Sequence, residues 1–169
     1  MKHDETSIHT KPILVVVRPK TESDADYIAA ELHKHWHSLS IWSLGNIFDA
    51  SKLPALIAWN GNDRAGHLTY VLHPGKSQME VITLSSNAVS RGVGTLLLQS
   101  AVNLAQSMGC LRIFLTTTND NLNAIGFYQK RGWTLAKYHS ESISHARLIK
   151  PEIPLIGENN IPLWDELEY

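Results

Sequence analysis

The sequence predicts a mixed α/β (α+β) fold in which an antiparallel meander is followed by a βαβ unit. Three observations carry this reading. Between Ala55 and Leu84 three strand-like segments follow one another, separated by turn residues. From Val93 to Met108 the apolar period becomes that of a helix. An apolar strand, Leu111 to Leu115, follows that helix at once, so strand, helix and strand form a crossover, right-handed by default, that sets residues 79–84 parallel to 111–115.

The run Ile13-Leu14-Val15-Val16-Val17 is β-branched and suits a first strand. Thr21 or Ser23 then caps a helix, each with an acidic residue three places on, Asp24 or Asp26. Ala25, Ile28, Ala29, Leu32 and Trp36 recur at helical spacing. The stretch from His37 to Leu53 carries no clear pattern. Ala55 to Trp59 forms a strand, Asn60-Gly61-Asn62-Asp63 a turn, and His67 to Leu72 the next strand. His73-Pro74-Gly75-Lys76 is a second turn and Met79 to Leu84 a third strand. Val93, Leu96, Leu97, Ala101, Leu104, Ala105 and Met108 mark one helix face, stopped by Gly109 at C′. After Leu115 come a polar loop, Thr116 to Asp120, a short helix near Asn121 to Arg131 with Gly132 as its stop, and a strand near Trp133 to Tyr138. From Lys150, the prolines Pro151, Pro154 and Pro162 demand extended chain until Leu163 to Tyr169, so residues 150–169 are expected to end in a strand. Residues 1–10 are expected to be a flexible tail, and residues 1–169 a single domain.

Composition narrows the function classes. The 169 residues include 15 Lys+Arg against 16 Asp+Glu, a net charge of -1, with the basic residues scattered, which gives no footprint for nucleic acid or an anionic membrane. The longest apolar runs fall far short of the roughly 18 residues a membrane span requires. The N-terminus has early acidic residues and no apolar core of a secretory signal, so a cytoplasmic location is expected. Cys110 is the only cysteine, which excludes an internal disulfide; its neighbours Leu111, Ile113 and Phe114 predict a buried thiol. His33 and His37 share a helix face while His35 points away, and no carboxylate or cysteine pattern completes a metal set, so no metal is expected. Arg112 and Lys130 read as solvated charges. A homodimer is left open.

The segment Val89-Ser90-Arg91-Gly92-Val93-Gly94-Thr95-Leu96 leads from a strand into the amphipathic helix. Small residues let the backbone approach a ligand, and the free N–H groups of the first turn attract an anion such as a phosphate. A dinucleotide fingerprint would need glycine where Leu97 stands, and a Walker-type loop would need Gly-Lys-Ser/Thr. What remains is a pyrophosphate cradle of another kind.

Here the sequence resembles the GCN5-related N-acetyltransferase (GNAT) family, whose acetyl-CoA loop follows Gln/Arg-x-x-Gly-x-Gly/Ala. Gly92 and Gly94 take the two glycine places, while Val89 departs from the Gln/Arg place and a basic residue appears later as Arg91. A second match, Asn121-Leu122-Asn123-Ala124-Ile125-Gly126-Phe127-Tyr128-Gln129-Lys130-Arg131-Gly132-Trp133, resembles the family's Asn-x-x-Ala-x-x-(apolar)-Tyr-x-x-x-Gly-(aromatic) segment. The resemblance covers roughly Leu14 to Tyr138. It implies the GNAT fold, a mixed sheet of about six or seven strands with a splayed parallel pair and helices on both faces.

The resemblance also implies transfer of an acetyl group from acetyl-CoA to a primary amine, by direct attack in a ternary complex. Arg91, Gly92, Val93, Gly94 and Thr95 would hold the phosphates through loop amides, and Asn121 the pantetheine or phosphate arm, or else it caps its helix. Leu84 and its neighbours would supply backbone N–H groups to the oxyanion and an edge to the pantetheine. Tyr128 takes the general-acid place for the leaving thiolate. A lysine-like amine has a pKa of about 10.4 and must lose a proton. Glu80 is the candidate base, with a water chain as the alternative, on alternation grounds that set it on the same strand face as Ile82 and Leu84; an exposed strand residue or an acceptor-binding carboxylate are its other readings. His37 and Trp42, after the first helix, are candidates to border the acceptor pocket. The acceptor is expected to be a small molecule or a terminal amino group, since no acidic run offers a groove for basic peptides. The competing class is a non-catalytic acyl-CoA-binding or sensing domain.

Overall fold

The structure, a computed structural model, describes residues 15–87 and 92–169. The expected tail over 1–10, the strand residues Ile13 and Leu14, and the loop residues Val89 and Arg91 lie outside the described residues. The elements in chain order are β1 (Val15–Pro19), α1 (Ala25–Trp36), β2 (Ser40–Ser43), β3 (Asn46–Asp49), β4 (Ala55–Asn60), β5 (Asp63–His73), β6 (Gln78–Ser86), α2 (Val93–Ser107), β7 (Arg112–Thr118), α3 (Leu122–Gln129), β8 (Lys137–His139), α4 (Ser142–Ala146) and β9 (Glu166–Glu168). Seven strands form one sheet in the order β1-β4-β5-β6-β7-β9-β8, and β2 and β3 form a separate hairpin. Among the described residues, only the β6 to β7 pairing in that sheet is parallel, as the crossover through α2 requires.

Alternation along the strands sorts the core onto two faces. Leu56 and Ala58 of β4, with Leu68 and Val81, meet Val93, Leu97 and Ala101 of α2. Ala55 and Ile57, with Ile82 packed against them, meet Ile28 and Leu32 of α1. Thr21 starts the turn before α1, its N–H donating to Asp24 Oδ2 at 2.8 Å.

One irregularity decides the site. Thr69 pairs with Thr83 but Tyr70 pairs with Val81, so Ile82 is an extra residue in β6, a β-bulge. Period-2 alternation therefore breaks there. The expectation that Glu80, Ile82 and Leu84 share a face is corrected: Ile82 packs with the α1 cluster, whereas Leu84 packs with the α2 cluster.

Other corrections have simple causes. The unpatterned stretch holds the β2–β3 hairpin. Thr116, Thr117 and Thr118, expected as loop, continue β7, because β9 arrives from far along the chain and pairs with them. The strand expected near Trp133 begins only at Lys137, while Trp133 packs against the core instead. Asn121 and Arg131 flank α3 rather than belong to it. Cys110 is half-buried and Leu111 is exposed. Arg112 is not simply solvated: it pairs with Glu168 and lies 4.6 Å from the Phe114 ring centroid. The last residues do end in a strand, β9.

Beneath α1 sits His67, fully buried. Burial pushes its pKa down to about 4, with Glu31 opposing and His35 adding to the effect. The unfolded chain binds that proton near 6.5, so between about 6.5 and 4 the unfolded state holds more protons. The corresponding stability is fully present above 6.5 and declines as pH falls, by up to about 3 kcal/mol. Denaturant titrations at neutral and acid pH should show a steeper acid loss in the wild type than in His67→Leu; equal slopes would remove His67 as the cause.

Candidate active site

The parallel pair that holds the site comes apart. Pairing of β6 with β7 ends at Val81 and Leu115, although β6 runs on to Ser86 and β7 to Thr118. From Leu115 onward β7 is taken up by the C-terminal strand, Leu115 exchanging both backbone hydrogen bonds with Tyr169. The bulge at Ile82 turns β6 away at the same point. Among the described residues, the edge of Ile82–Ser86 that faces β7 has no ladder partner.

Two cavities occupy the wedge. The smaller, about 240 Å³, is lined by Gly92, Gly94 and Thr95 at the start of α2 and by Asn123, Phe127 and Arg131 of α3 and its end. The larger, about 440 Å³, lies on the other side, among Trp36, His37, Trp42, Ile82, Asn121, Glu166 and the C-terminal segment. Leu84, Ala124 and Tyr128 line both, so the cavities meet there.

The smaller cavity is suited to an anion. Gly92 adopts φ +72, a conformation that spares glycine strain, and turns the chain into α2. The first N–H groups of a helix have no intrahelical acceptor, so Val93, Gly94 and Thr95 present theirs beside the positive end of the helix dipole. The Val93 side chain itself is buried in the core. Gly94 is closely packed, since a Cβ there would stand 3.0 Å from Phe127 Cζ and press on that ring. Arg131, to which the sequence reading gave no role, adds a fixed cation: its Nε donates to Thr95 Oγ1 at 2.6 Å, Nη1 donates to the Phe127 carbonyl at 2.8 Å, and the guanidinium covers the Phe127 ring at 3.6 Å. Its only sequence signal is helical spacing, four residues after Phe127.

Tyr128 stands where the cavities join. Its ring packs edge-on to Phe127 and near Trp133 and Tyr169, and burial pushes its pKa up to about 12. Among the described residues nothing hydrogen-bonds its hydroxyl, which is therefore a neutral donor on the cavity wall. Asn121 caps α3, its Oδ1 accepting from Ala124 N at 2.9 Å, and it lines the larger cavity rather than the smaller.

The larger cavity holds a residue to which the sequence reading gave no role in the site. Glu166 of β9 is 2% exposed. Its Oε2 accepts from Trp42 Nε1 at 3.1 Å, from Leu44 N at 3.2 Å and from Ser142 Oγ, and Oε1 accepts from Thr116 Oγ1 at 3.2 Å. Glu80 is equally buried but sits behind this wall, accepting from Ser43 Oγ at 2.5 Å and hydrogen-bonded to His73 Nε2 at 2.8 Å. His35 and His37 both line the cavity, although helical spacing separated them, because His37 leaves α1 with φ 54. Among the described residues, no group of three or more His, Cys, Asp or Glu is placed to hold a metal ion. No helix among them is long and apolar enough to cross a membrane.

Comparison with known proteins agrees with this geometry. Residues 18–133 match the acetyltransferase (GNAT) family. The chain is 37% identical over 157 residues to an uncharacterized protein of Bacillus subtilis, YdhI, covering 92% of this chain and 97% of that one. It superposes on an IAA acetyltransferase from Bacillus cereus with a TM-score of 0.69 and 20% identity, over 92% of this chain and 97% of the other. A GNAT family acetyltransferase from Elizabethkingia anophelis, solved with acetyl-CoA bound, superposes with a TM-score of 0.64 and 16% identity, over 91% and 95%. The overall architecture is thus that of a known fold, and the chain belongs to the GNAT family of acetyltransferases.

Proposed function

We propose that this protein transfers the acetyl group of acetyl-CoA to a primary amine by direct attack in a ternary complex, the acceptor being a small molecule or a terminal amino group. The observation that carries the reading is the meeting of two cavities at Leu84, Ala124 and Tyr128. A donor entering from the α2 side and an acceptor from the α1 side would touch only there.

The chemistry of the residues fits the donor. Pantetheine is an extended amide chain, and the open edge of Ile82–Ser86 offers it a strand partner. The pyrophosphate is an anion, and the N–H groups of Gly92–Thr95 with Arg131 offer it donors and charge; Arg91 is assigned to the same task by its position in the loop. The Leu84 N–H, on that edge, is the donor for the oxyanion. Tyr128 donates its proton to the departing sulfur. The acceptor side combines indole rings with histidines and a buried carboxylate, which suits an amine carried on a small framework.

Calorimetric titration with acetyl-CoA should give one site, and thiol release should follow with at least one member of a panel of primary amines. Binding without turnover for any amine would favour the acyl-CoA-sensing class, and failure to bind would dismiss both.

A further inference from the structure

Two buried carboxylates, Glu80 on β6 and Glu166 on β9, lie on strands that β7 separates, yet side chains connect them. Glu80 Oε1 is 2.5 Å from Ser43 Oγ, Ser43 Oγ is 3.0 Å from Thr116 Oγ1, and Thr116 Oγ1 is 3.2 Å from Glu166 Oε1. At the far end Glu80 Oε2 is 2.8 Å from His73 Nε2, and the His73 side chain is 29% exposed. At the near end Glu166 and Thr116 line the larger cavity.

Counting protons shows that this chain can carry one, and its two ends set the direction, since Glu166 lines the cavity and His73 reaches the surface. Three contacts join the two carboxylates, and a hydroxyl carries one proton. Ser43 donates to Glu80 and Thr116 to Glu166, so with both carboxylates ionised the Ser43–Thr116 contact holds no proton. A proton arriving on Glu166 fills the gap: Glu166 donates to Thr116, which turns its hydroxyl onto Ser43. One further shift along the row delivers a proton to Glu80, beside His73.

We propose that Glu166 takes the acceptor's proton and that Thr116, Ser43, Glu80 and His73 pass it to solvent. The path matters only under the acetyl-transfer reading above, where an alkylammonium and acetyl-CoA give the amide, CoA thiol and one proton. The C–N bond forms from the nitrogen lone pair, the C–S bond breaks with its electrons on sulfur, and nitrogen loses two protons. One is accounted for by the thiol, through Tyr128; the other must leave, and the chain is its exit. Glu166 thereby faces the acceptor, while Ser43, Thr116, Glu80 and His73 act through it. The donors from Trp42, Leu44 and Ser142 hold Glu166 Oε2 and leave Oε1 to the chain.

Thr116→Val replaces one of the two linking hydroxyls by a methyl group of the same shape, and Thr116→Ser keeps it. With an alkylamine that the wild type acetylates, Thr116→Val should lower kcat about tenfold or more, leave both KM values within about twofold, and be restored by Thr116→Ser. Ser43→Ala should behave like Thr116→Val. His73→Gln, at the exposed end, carries the same expectation if either buried variant fails to fold. Wild-type kcat in these variants, or an equal fall in Thr116→Val and Thr116→Ser, overturns the path while leaving acetyl transfer intact. A wild type that releases no thiol with any amine overturns the acetyl-transfer reading and the path with it.

Discussion

Tyr128→Phe should lower kcat by about 100-fold or more while the affinity for acetyl-CoA changes little. The expectation follows from what the hydroxyl does and does not touch. The ring is held by Phe127, Trp133 and Tyr169 at centroid distances of 5.4, 6.3 and 6.1 Å, and phenylalanine keeps all three contacts. The hydroxyl has no hydrogen-bond partner among the described residues, so removing it orphans no group and should leave folding intact. What is lost is a proton donor where the two cavities meet. With its pKa pushed up to about 12 by burial, Tyr128 keeps that proton throughout the neutral range, as a general acid must. Steady-state thiol release together with calorimetry separates the two effects. An unchanged rate would remove Tyr128 from the acid role.

Gly94→Leu should abolish measurable acetyl-CoA binding, a loss of more than about 100-fold, and lower stability by about 1–3 kcal/mol. The first added carbon already stands 3.0 Å from Phe127 Cζ, and the rest of the side chain must enter the smaller cavity beside Thr95. Gly94→Ala isolates the packing part, because only the first carbon is added. Gly92→Ala tests the other glycine: its φ of +72 makes any Cβ cost about 1–2 kcal/mol, although the space around it is open. If Gly94→Leu bound acetyl-CoA like the wild type, the smaller cavity would not be the donor site.

How legible each residue was depends on whether its signal is local. The turn into α2 and the segment from Asn121 to Trp133 have short-range requirements: positive φ at Gly92 and Gly132, a cap at Asn121, and the Trp133 ring packed near Tyr128. Residue types at fixed spacing express these directly. The β2–β3 hairpin hid because its strands are four residues each and its turn is Leu44-Gly45, at φ 46 and 85, where asparagine or aspartate usually marks the first place. Thr116 to Thr118 read as loop because threonine is polar, although β-branching suits a strand once another strand covers it.

Periodicity and turn chemistry, properties of neighbours along the chain, were enough by themselves to determine the order of the main strands and helices and the glycine turn into α2, while the resemblance of one segment to a known family singled out Tyr128. Tertiary structure alone decided that a bulge at Ile82 throws Leu84 onto the other face from Glu80, that Arg131 reaches back to Thr95, and that Ser43, Glu80, Thr116 and Glu166 touch. Those four residues lie as far apart as position 43 and position 166, and nothing in the local pattern of any one of them specifies the others. Their contact follows from the splay of β6 and β7, which lets the last strand enter the sheet and carry a carboxylate into the wedge.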